Sequence, residues 1–397
     1  MEQNQQKPRN PRRRTPYQRN RRLQAQWLSW LLIGVVVIFT VAGLLVKDRE
    51  FSETENRSLA QFPKLTPSSA LDGSFLSGLG DYVADQFPGR DTWISMNLWL
   101  NQLLGQKESS GVYLCGDDYL MQVPSAPNET AHARNLKAMQ TFAQNHSDLN
   151  CVVSIVPNAV TILADKLPEN APVRDQAADL AHIRECLTAL DVVDVTDALT
   201  AHKNETLFYR TDHHWTSLGA SYAFEAIAPS LSIEPPDRES YTVYAVSTSF
   251  EGTLSSKSGS HTALDTVEIY VPATTISYYV TYNEDSATNI CSLYNRGALK
   301  QKDHYTVFFG GNYSRVDITT TADTGRSLLL FKDSYANCFV QFLYPYFDHI
   351  TMIDPRYYYD NVESVMTSES VTDVLFLYNL DTFLGDTSLA DVLETGE

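Results

Sequence analysis

The stretch that decides the fold is Leu328-Leu329-Leu330-Phe331-Lys332-Asp333-Ser334-Tyr335, an apolar run that ends in a short polar sequence. A continuous apolar run followed by residues with helical spacing is typical of a buried strand that leads into a helix. Similar runs at residues 151–156, 349–353 and 374–377 alternate with helical patterns. This alternation predicts an α/β fold, with a mostly parallel sheet flanked by helices and ligands at the carboxyl ends of the strands.

Two other regions depart from this pattern. Residues 241–320 are rich in Thr, Tyr, Ser and Val in short alternating runs, which predicts a β-rich insertion at about 240–325. Residues 75–104 have helical spacing broken at Pro88-Gly89, which predicts two helices. We therefore expect a juxtamembrane tether and helices at 47–110, and one domain containing the insertion at 111–397.

The N-terminal region predicts a membrane anchor. Residues 27–46 form an uncharged run of 20 residues, and about 20 residues at roughly 1.5 Å each cross a hydrocarbon core of about 30 Å. A cleaved signal peptide, with an apolar region of about 7–15 residues, is the competing interpretation. Residues 1–26 hold eight of the 30 Lys and Arg residues but one of the 48 Asp and Glu residues.

This charge asymmetry predicts the topology. Basic residues before a span place the N-terminus in the cytoplasm, so we expect a basic cytoplasmic tail, a single transmembrane helix in the cell membrane and an acidic extracytoplasmic remainder. Beside a span, a basic tail sets topology and contacts anionic lipid, and no nucleic acid partner is expected.

The composition describes a chain with a substantial core. With 43% hydrophobic and 20% charged residues, the chain is not a disordered protein. Its five cysteines are odd in number and form no C-x-x-C pair, so a disulfide-stapled fold is not expected, although one disulfide remains open.

Ser334 is the first candidate for chemistry, because it follows an apolar strand directly. A helix N-terminus at that position offers backbone N–H groups to a developing oxyanion, although an N-cap serine is the alternative. A serine nucleophile needs a histidine to take its proton and an acid to orient the histidine. Asp212 and His214 would project to the same side of an extended segment, which leaves His213 for a structural or substrate-facing role.

A metal site is the rival interpretation, since aspartate and histidine are ordinary metal ligands. The other seven histidines form no second spaced cluster. We expect neither a metal nor a cofactor, and a metal-dependent hydrolase stays open as an alternative.

The run Thr211-Asp212-His213-His214-Trp215-Thr216-Ser217-Leu218-Gly219-Ala220 resembles the motif that names the DHHW family, and the chain resembles the SGNH hydrolase-like proteins of alginate O-acetylation. The resemblance also includes residues 52–60, 250–253, 302–305, 332–336 and 354–358. It implies a Ser-His-Asp site with Ser334 as nucleophile, His214 as base and Asp212 as the orienting acid. The chain departs from many SGNH enzymes in having Lys332-Asp333 before the serine, where they have Gly-Asp.

The resemblance also implies a permuted SGNH-like order, because Asp212 and His214 precede Ser334. Ordinary members place an oxyanion asparagine after the third strand of the run that begins with the serine. That count leads to Asn379, with Arg356 after the second strand. We expect an oxyanion hole formed by the Ser334 backbone N–H and the Asn379 side chain, supported by Arg356; a turn residue is the alternative for Asn379.

Together these features predict a membrane-anchored, extracytoplasmic serine acyl-ester enzyme. It would be an O-acetyltransferase or acetylesterase acting on a cell-surface or exported polysaccharide. A transferase would need an acetyl donor delivered by a membrane acyl-transfer partner, since cytosolic acetyl-coenzyme A is out of reach. The alternative is a non-catalytic glycan- or wall-binding protein on the same scaffold, with aromatic residues such as those at 357–359 stacking on sugar rings.

Overall fold

The computed structural model describes residues 16–52, 54–55, 57–283 and 285–395. They form two compact units, the first containing residues up to Ser52 with Arg57–Met96, and the second containing Asn97 onward together with the short segment between Ser52 and Arg57. Five of the eight basic residues of the predicted cytoplasmic tail lie at positions 1–15, outside the described residues. The division predicted at residue 110 stays a prediction.

The first unit contains one long helix, two short strands and a helical region. Helix α1 (Pro16–Leu45) includes most of the predicted span, and its segment Leu23–Gly43 is long and apolar enough to cross a membrane. The remaining elements that begin in this unit are β1 (Phe51–Ser52), β2 (Arg57–Ser58), α2 (Pro67–Leu71), α3 (Ser74–Asp85) and α4 (Arg90–Leu103). Helices α3 and α4 separate at Pro88-Gly89 as predicted, and Gly89 has a φ of 70°, which favours glycine.

The second unit has a central sheet covered by helices on both faces. Its strands are β3 (Glu108–Ser109), β4 (Val112–Leu114), β5 (Leu120–Gln122), β6 (Asn150–Val156), β7 (Asp191–Val192), β8 (Tyr241–Phe250), β9 (Asp265–Pro272), β10 (Tyr278–Tyr282), β11 (Asp285–Ile290), β12 (Arg315–Thr320), β13 (Ser327–Lys332), β14 (His349–Ile353) and β15 (Asp373–Asn379). Its helices are α5 (Glu129–Asn145), α6 (Ala159–Ile162), α7 (Gln176–Cys186), α8 (Thr196–Ala201), α9 (Ser217–Ile227), α10 (Thr253–Ser258), α11 (Tyr335–Leu343), α12 (Val362–Ser368), α13 (Leu380–Gly385) and α14 (Leu389–Glu394).

The central sheet has the strand order β11-β10-β12-β14-β13-β15-β6-β7. The five strands from β14 to β7 are parallel to one another, and the serine-bearing β13 lies between β14 and β15. Strands β6 and β7 extend the parallel sheet beyond β15 but precede β13 in the chain. This is the predicted permuted arrangement, in which the strands that follow the serine come last in sequence.

The segment predicted as a β-rich insertion is β-rich, but it is not a separate body. Strands β8 and β9 pair with each other as an antiparallel ribbon. Strands β10, β11 and β12 instead join the central sheet, because β12 pairs antiparallel with β14 and β10 pairs antiparallel with both β12 and β11. Without β12, the outer edge of β14 would present unpaired backbone N–H and C=O groups. The antiparallel pairing with β12 satisfies these groups.

The core lies in two apolar layers, one on each face of the sheet. Successive side chains of β13 point to opposite faces. Leu328 and Leu330 are buried in one layer with Phe339 of α11, whereas Leu329 and Phe331 are buried in the other. Burial on both faces explains why β13 reads as a continuous apolar run, and it fixes the position at which the chain leaves the sheet toward Ser334.

Candidate active site

Ser334, His214 and Asp212 lie in one hydrogen-bonded row. His214 Nε2 is 2.7 Å from Ser334 Oγ, and His214 Nδ1 is 2.6 Å from Asp212 Oδ1. Since an ionised carboxylate only accepts hydrogen bonds, the imidazole donates through Nδ1 and accepts the serine proton at Nε2. His214 and Asp212 are buried, whereas Ser334 is half-buried. This arrangement can transfer a proton from the serine hydroxyl to an oriented imidazole.

Ser334 occupies the N-cap position of α11 without capping the helix through its side chain. Asp333 performs that role, because its Oδ1 accepts the Tyr335 N–H at 2.9 Å. The other oxygen of Asp333 accepts the backbone N–H of Asn379 at 2.9 Å. Burial raises the pKa of Asp333, and these N–H groups oppose that shift. The serine hydroxyl is therefore left to the imidazole.

Asp212 is held by both of its carboxylate oxygens. Oδ1 also accepts the His214 N–H at 3.0 Å, and Oδ2 accepts the N–H and hydroxyl of Thr253 at 2.7 and 2.8 Å. Burial by itself would raise the pKa of Asp212, but the imidazoles of His213 and His214 and these hydrogen bonds hold it well below its usual value. Asp212 therefore stays ionised next to the imidazole.

The physical reason for the Asp212–His214 pairing differs from the one predicted. Residues 210–214 form a series of bends rather than an extended segment. Asp212 turns back onto the backbone N–H of His214, as aspartate often does two residues along the chain. The same turn places Asp212 against Gly252, where an added Cβ would lie 2.3 Å from the Asp212 Cβ. Glycine is required at position 252 by this close approach.

Aromatic neighbours fix the plane of the His214 ring. Tyr305 stacks on it, with centroids 3.8 Å apart and an angle of 14° between planes. The Tyr305 hydroxyl also donates to the Ser334 carbonyl at 2.8 Å, so one residue contacts both members of the pair. Trp215 Nε1 donates to the Tyr335 carbonyl at 3.0 Å, which joins the residue after His214 to the residue after Ser334. Tyr305 lies in a segment that supported the family resemblance but was assigned no role from the sequence.

His213 has a different partner from His214. Its Nδ1 is 3.0 Å from the Thr253 hydroxyl, and 36% of its side chain is exposed. Partial burial and the neighbouring His214 lower the pKa of His213 to about 4, so this ring is neutral at physiological pH. Nitrogen and oxygen donors of Asp212, His213 and His214 lie within 4.8 Å of one another, which is close enough to ligate a metal. A metal there would compete with the hydrogen bonds that these groups make with Thr253 and Ser334.

Asn379 ends β15 beside Asp333, and its amide oxygen and nitrogen have different surroundings. The oxygen accepts the N–H groups of Asp381 and Thr382 at 3.0 and 3.4 Å, as an N-cap of α13. It also accepts Asn158 Nδ2 at 3.0 Å. The Asn379 amide nitrogen is buried and has no hydrogen-bond partner within the described part of the chain. Asn379 therefore caps the turn into α13 through its oxygen and keeps its nitrogen as a free donor.

Asn158 is a further residue that the sequence did not indicate. Its amide oxygen accepts Gln176 Nε2 at 2.7 Å, and its backbone N–H donates to Gln176 Oε1 at 3.0 Å. These bonds leave the Asn158 Nδ2 group directed at Asn379. The one available signal was position, because Asn158 follows β6, the strand adjacent to β15.

Arg356 lies after β14 and pairs with Asp354 rather than with Ser334. Its Nε and NH2 groups donate to the Asp354 carboxylate at 2.8 and 2.6 Å, which raises the pKa of the guanidinium. Lys332 Nζ approaches the same carboxylate at 3.8 Å and donates to Asn337 at 2.8 Å. Burial lowers the pKa of Lys332 to about 8, and Asp354 opposes this shift. The lysine that replaces the usual glycine is thus a buried structural partner.

Comparisons with known proteins agree with this fold. Residues 113–313, about half of the chain, match the family described as "SGNH hydrolase-like domain, acetyltransferase AlgX", and residues 55–167 match the family described as "DHHW protein". The first range includes Asp212 and His214 and ends before Ser334. The chain is 26% identical over 214 residues to a probable alginate O-acetylase, AlgJ, of Pseudomonas syringae pv. tomato, a match that covers 50% of this chain and 54% of that protein. The chain thus spans about half the length of this relative.

Two solved structures are similar over most of the chain. A DHHW family protein from Eubacterium siraeum has a TM-score of 0.63 and 25% identity, and the match covers 72% of this chain and 96% of that one. PatB1 of Bacillus cereus with a sulfonyl adduct has a TM-score of 0.58 and 19% identity, with 71% and 99% covered. The predicted SGNH-like α/β fold and the resemblance to the DHHW and alginate O-acetylation proteins are confirmed.

Proposed function

The chain belongs to the family of the SGNH hydrolase-like domain of the acetyltransferase AlgX, and from this premise we propose that it is a membrane-anchored serine O-acetyltransferase or acetylesterase. The observation that carries the proposal is the row of Asp212, His214 and Ser334, with its separations of 2.6 and 2.7 Å. The substrate class follows from the relative described as a probable alginate O-acetylase. We therefore propose a cell-surface or exported polysaccharide as acetyl donor or acceptor.

In the proposed first step, Ser334 Oγ attacks the carbonyl carbon of an acetyl ester while His214 Nε2 takes the hydroxyl proton. Asp212 stabilises the imidazolium that forms. The oxyanion accepts hydrogen bonds from the Ser334 backbone N–H and from the free amide nitrogen of Asn379. His214 then gives its proton to the leaving alcohol, and the acetyl group remains on Ser334.

In the second step, an acceptor hydroxyl attacks the acetyl-serine while His214 removes its proton. A sugar hydroxyl gives an O-acetylated product and defines a transferase; water gives acetate and defines an esterase. The apolar segment Leu23–Gly43 would anchor the protein with this site outside the cell. A transferase so placed would receive acetyl groups from a membrane acyl-transfer partner.

The decisive test is covalent labelling of Ser334 together with turnover. The full-length protein in detergent is incubated with a small sulfonyl fluoride, digested and analysed by mass spectrometry, and hydrolysis of p-nitrophenyl acetate is measured in parallel. We expect the adduct on Ser334, and loss of both adduct and turnover in Ser334→Ala. The control is Ser249→Ala, which removes an exposed hydroxyl on β8. A folded native protein with neither adduct nor turnover would contradict a serine enzyme.

A non-catalytic glycan-binding protein is the second candidate. The rings of Tyr357 and Tyr359 are 50% and 84% exposed on the loop that follows β14, the strand next to β13. Exposed aromatic faces suit stacking on sugar rings. Polysaccharide binding that is lost in Tyr357→Ala and Tyr359→Ala, without turnover in the native protein, would favour this function.

A further inference from the structure

A concave site lies within the first unit. Helix α1 and the turn between α3 and α4 enclose a groove of about 640 Å³, within the range of roughly 300–1,000 Å³ that is usual for small-molecule sites. One wall is formed by α1 and the other by the α3–α4 turn. The principal lining residues are Val35, Val36, Phe39, Val83, Phe87 and Trp93.

Aromatic contacts hold the two walls together. The ring of Phe39 stacks on Phe87 with centroids 5.0 Å apart, and Trp93 meets Phe39 edge-on at 6.0 Å. The groove remains open, because Val83 and Trp93 are 55% and 44% exposed. No charged side chain is among the residues that line it, and its polar groups are confined to a few side chains such as Tyr82 and Gln86. Such a surface favours an apolar ligand with a polar end.

The position of Phe39 along α1 determines the level in the membrane at which the groove would lie when α1 spans it. Phe39 lies four residues before the end of the apolar segment Leu23–Gly43, and with a rise of about 1.5 Å per residue it is roughly 6 Å inside that end. A side chain that packs on Phe39 therefore lies at the outer edge of the hydrocarbon core whenever α1 spans the membrane. Tryptophan and tyrosine are the residues enriched at this level. Trp93 and Tyr82, which both line the groove, are residues of these two types.

We propose that this groove binds an acyl chain of an outer-leaflet phospholipid. The chain would contact Phe39, Phe87 and Trp93, and the headgroup would lie toward Tyr82 and Gln86. This inference rests on the proposed membrane anchorage of α1, because only an inserted α1 brings the groove to the level of the lipid. It also makes the α3–α4 turn a shallow membrane contact beside the span.

The test uses the full-length protein in vesicles of phosphatidylcholine whose acyl chain carries a photoreactive diazirine. After irradiation, labelled peptides are mapped by mass spectrometry. We expect label on residues 28–32 of α1, which serve as the internal control for insertion, and also on residues 83–93. Gly43→Phe places a ring in the groove, where an added Cβ would be 3.9 Å from Pro88, and should remove the label from 83–93. The matched control is Gly34→Phe on the same helix, where a Cβ meets nothing within 4 Å.

The possible results distinguish a failure of the groove proposal from a failure of the proposed membrane anchor. Label on 28–32 without label on 83–93 in the native protein would overturn the groove proposal and leave the span intact. Absence of label on 28–32 would remove the anchorage and the groove proposal together. Label on 83–93 that survives Gly43→Phe as well as Gly34→Phe would reduce the contact to a non-specific one and overturn the proposal.

Discussion

His213 and His214 are adjacent in the chain but have different partners, so replacing each should affect activity differently. His214 contacts Ser334 and Asp212, whereas His213 contacts Thr253. We expect His214→Ala to lower hydrolysis of p-nitrophenyl acetate by about 10²–10⁴-fold, the usual contribution of a general base. His213→Ala, the matched control, should retain most of the activity. Comparable losses in both variants, with inhibition by a chelator, would favour the metal site instead.

Asn379 allows its two roles to be tested separately. Asn379→Asp keeps an oxygen to accept the N–H groups of α13 but replaces the NH2 donor. Because one oxyanion donor typically contributes about 10²–10³-fold, we expect turnover to fall by that factor, and the new carboxylate, buried beside Asp333, should also lower the thermal unfolding midpoint. Asn361→Asp is the control, since Asn361 caps α12 in the same way. Full turnover in Asn379→Asp, or in Asn379→Ala, would exclude the oxyanion role.

The sequence indicated the three members of the row but not the residues that hold them. Asp212 and His214 share a local spacing, and Ser334 follows a strand, so short-range patterns are sufficient to find them. Thr253 and Tyr305 reach the row from segments far apart in the chain, and no local pattern records which distant hydroxyl or ring completes a site. The predicted extended backbone at Asp212 was wrong because a side-chain hydrogen bond to the His214 N–H competes with extended structure.

At the scale of elements, the entry into α10 is a tight packing contact. Gly252→Ala would place a Cβ 2.3 Å from the Asp212 Cβ, and overpacking of this kind typically costs about 1–3 kcal/mol. We expect a lower urea midpoint and a loss of turnover, because Asp212 must move away from His214. Gly385→Ala is the control, since an added Cβ there meets nothing within 4 Å. Unchanged activity in Gly252→Ala would mean that α10 shifts instead of Asp212.

The short helical turn His304–Val307 begins at a carboxyl group with an unusual pKa. Burial and the charge of Asp212 raise the pKa of Asp303 to about 6, whereas an unfolded aspartate titrates near about 4. A raised folded pKa favours the folded state while the group is protonated, so this stability is present at low pH and is lost as pH rises through about 6. We expect Asp303→Asn, which keeps the acceptor for the Tyr305 N–H, to gain stability relative to the native protein between pH 4 and pH 6.

Urea midpoints measured at pH 4 and pH 7 check this expectation. The difference between Asp303→Asn and the native protein should be larger at pH 7. Glu234→Gln, which neutralises an exposed carboxylate, is the control and should shift both midpoints equally. If the difference in urea midpoint between Asp303→Asn and the native protein is the same at both pH values, then burial does not raise the pKa of Asp303.

Periodicity predicted most helices and buried strands well, because burial on one or both faces leaves a direct imprint on the sequence. It failed where pairing depends on an edge elsewhere in the fold. Strands β10 to β12 carry the same alternating pattern as the β8–β9 ribbon, yet they extend the central sheet. Which strand edge they join is decided by the unpaired side of β14, and the pattern of the segment itself does not contain that information.

For the whole molecule, the permuted strand order explains why the site joins distant parts of the sequence. Ser334 lies late in the chain, and the sheet brings β13 between β14 and β15 before α11 begins. The family resemblance supplied this order, since periodicity predicts strands and not their neighbours. The charge asymmetry adds a second global property, because eight of the 30 Lys and Arg residues but one of the 48 Asp and Glu residues precede the apolar segment.

That asymmetry leads to a prediction about topology. Cys291 is a free and exposed cysteine in the second unit, and the positive-inside rule predicts that it lies outside the cell. We expect a membrane-impermeant maleimide to label Cys291 on intact cells, and Cys291→Ser to lose this label. In the Cys291→Ser background, Gln3→Cys should react only after the membrane is permeabilised, because the same rule predicts a cytoplasmic N-terminus. The reverse labelling pattern would place the candidate active site in the cytoplasm, where acetyl-coenzyme A is available, and would remove the need for a membrane partner that delivers acetyl groups.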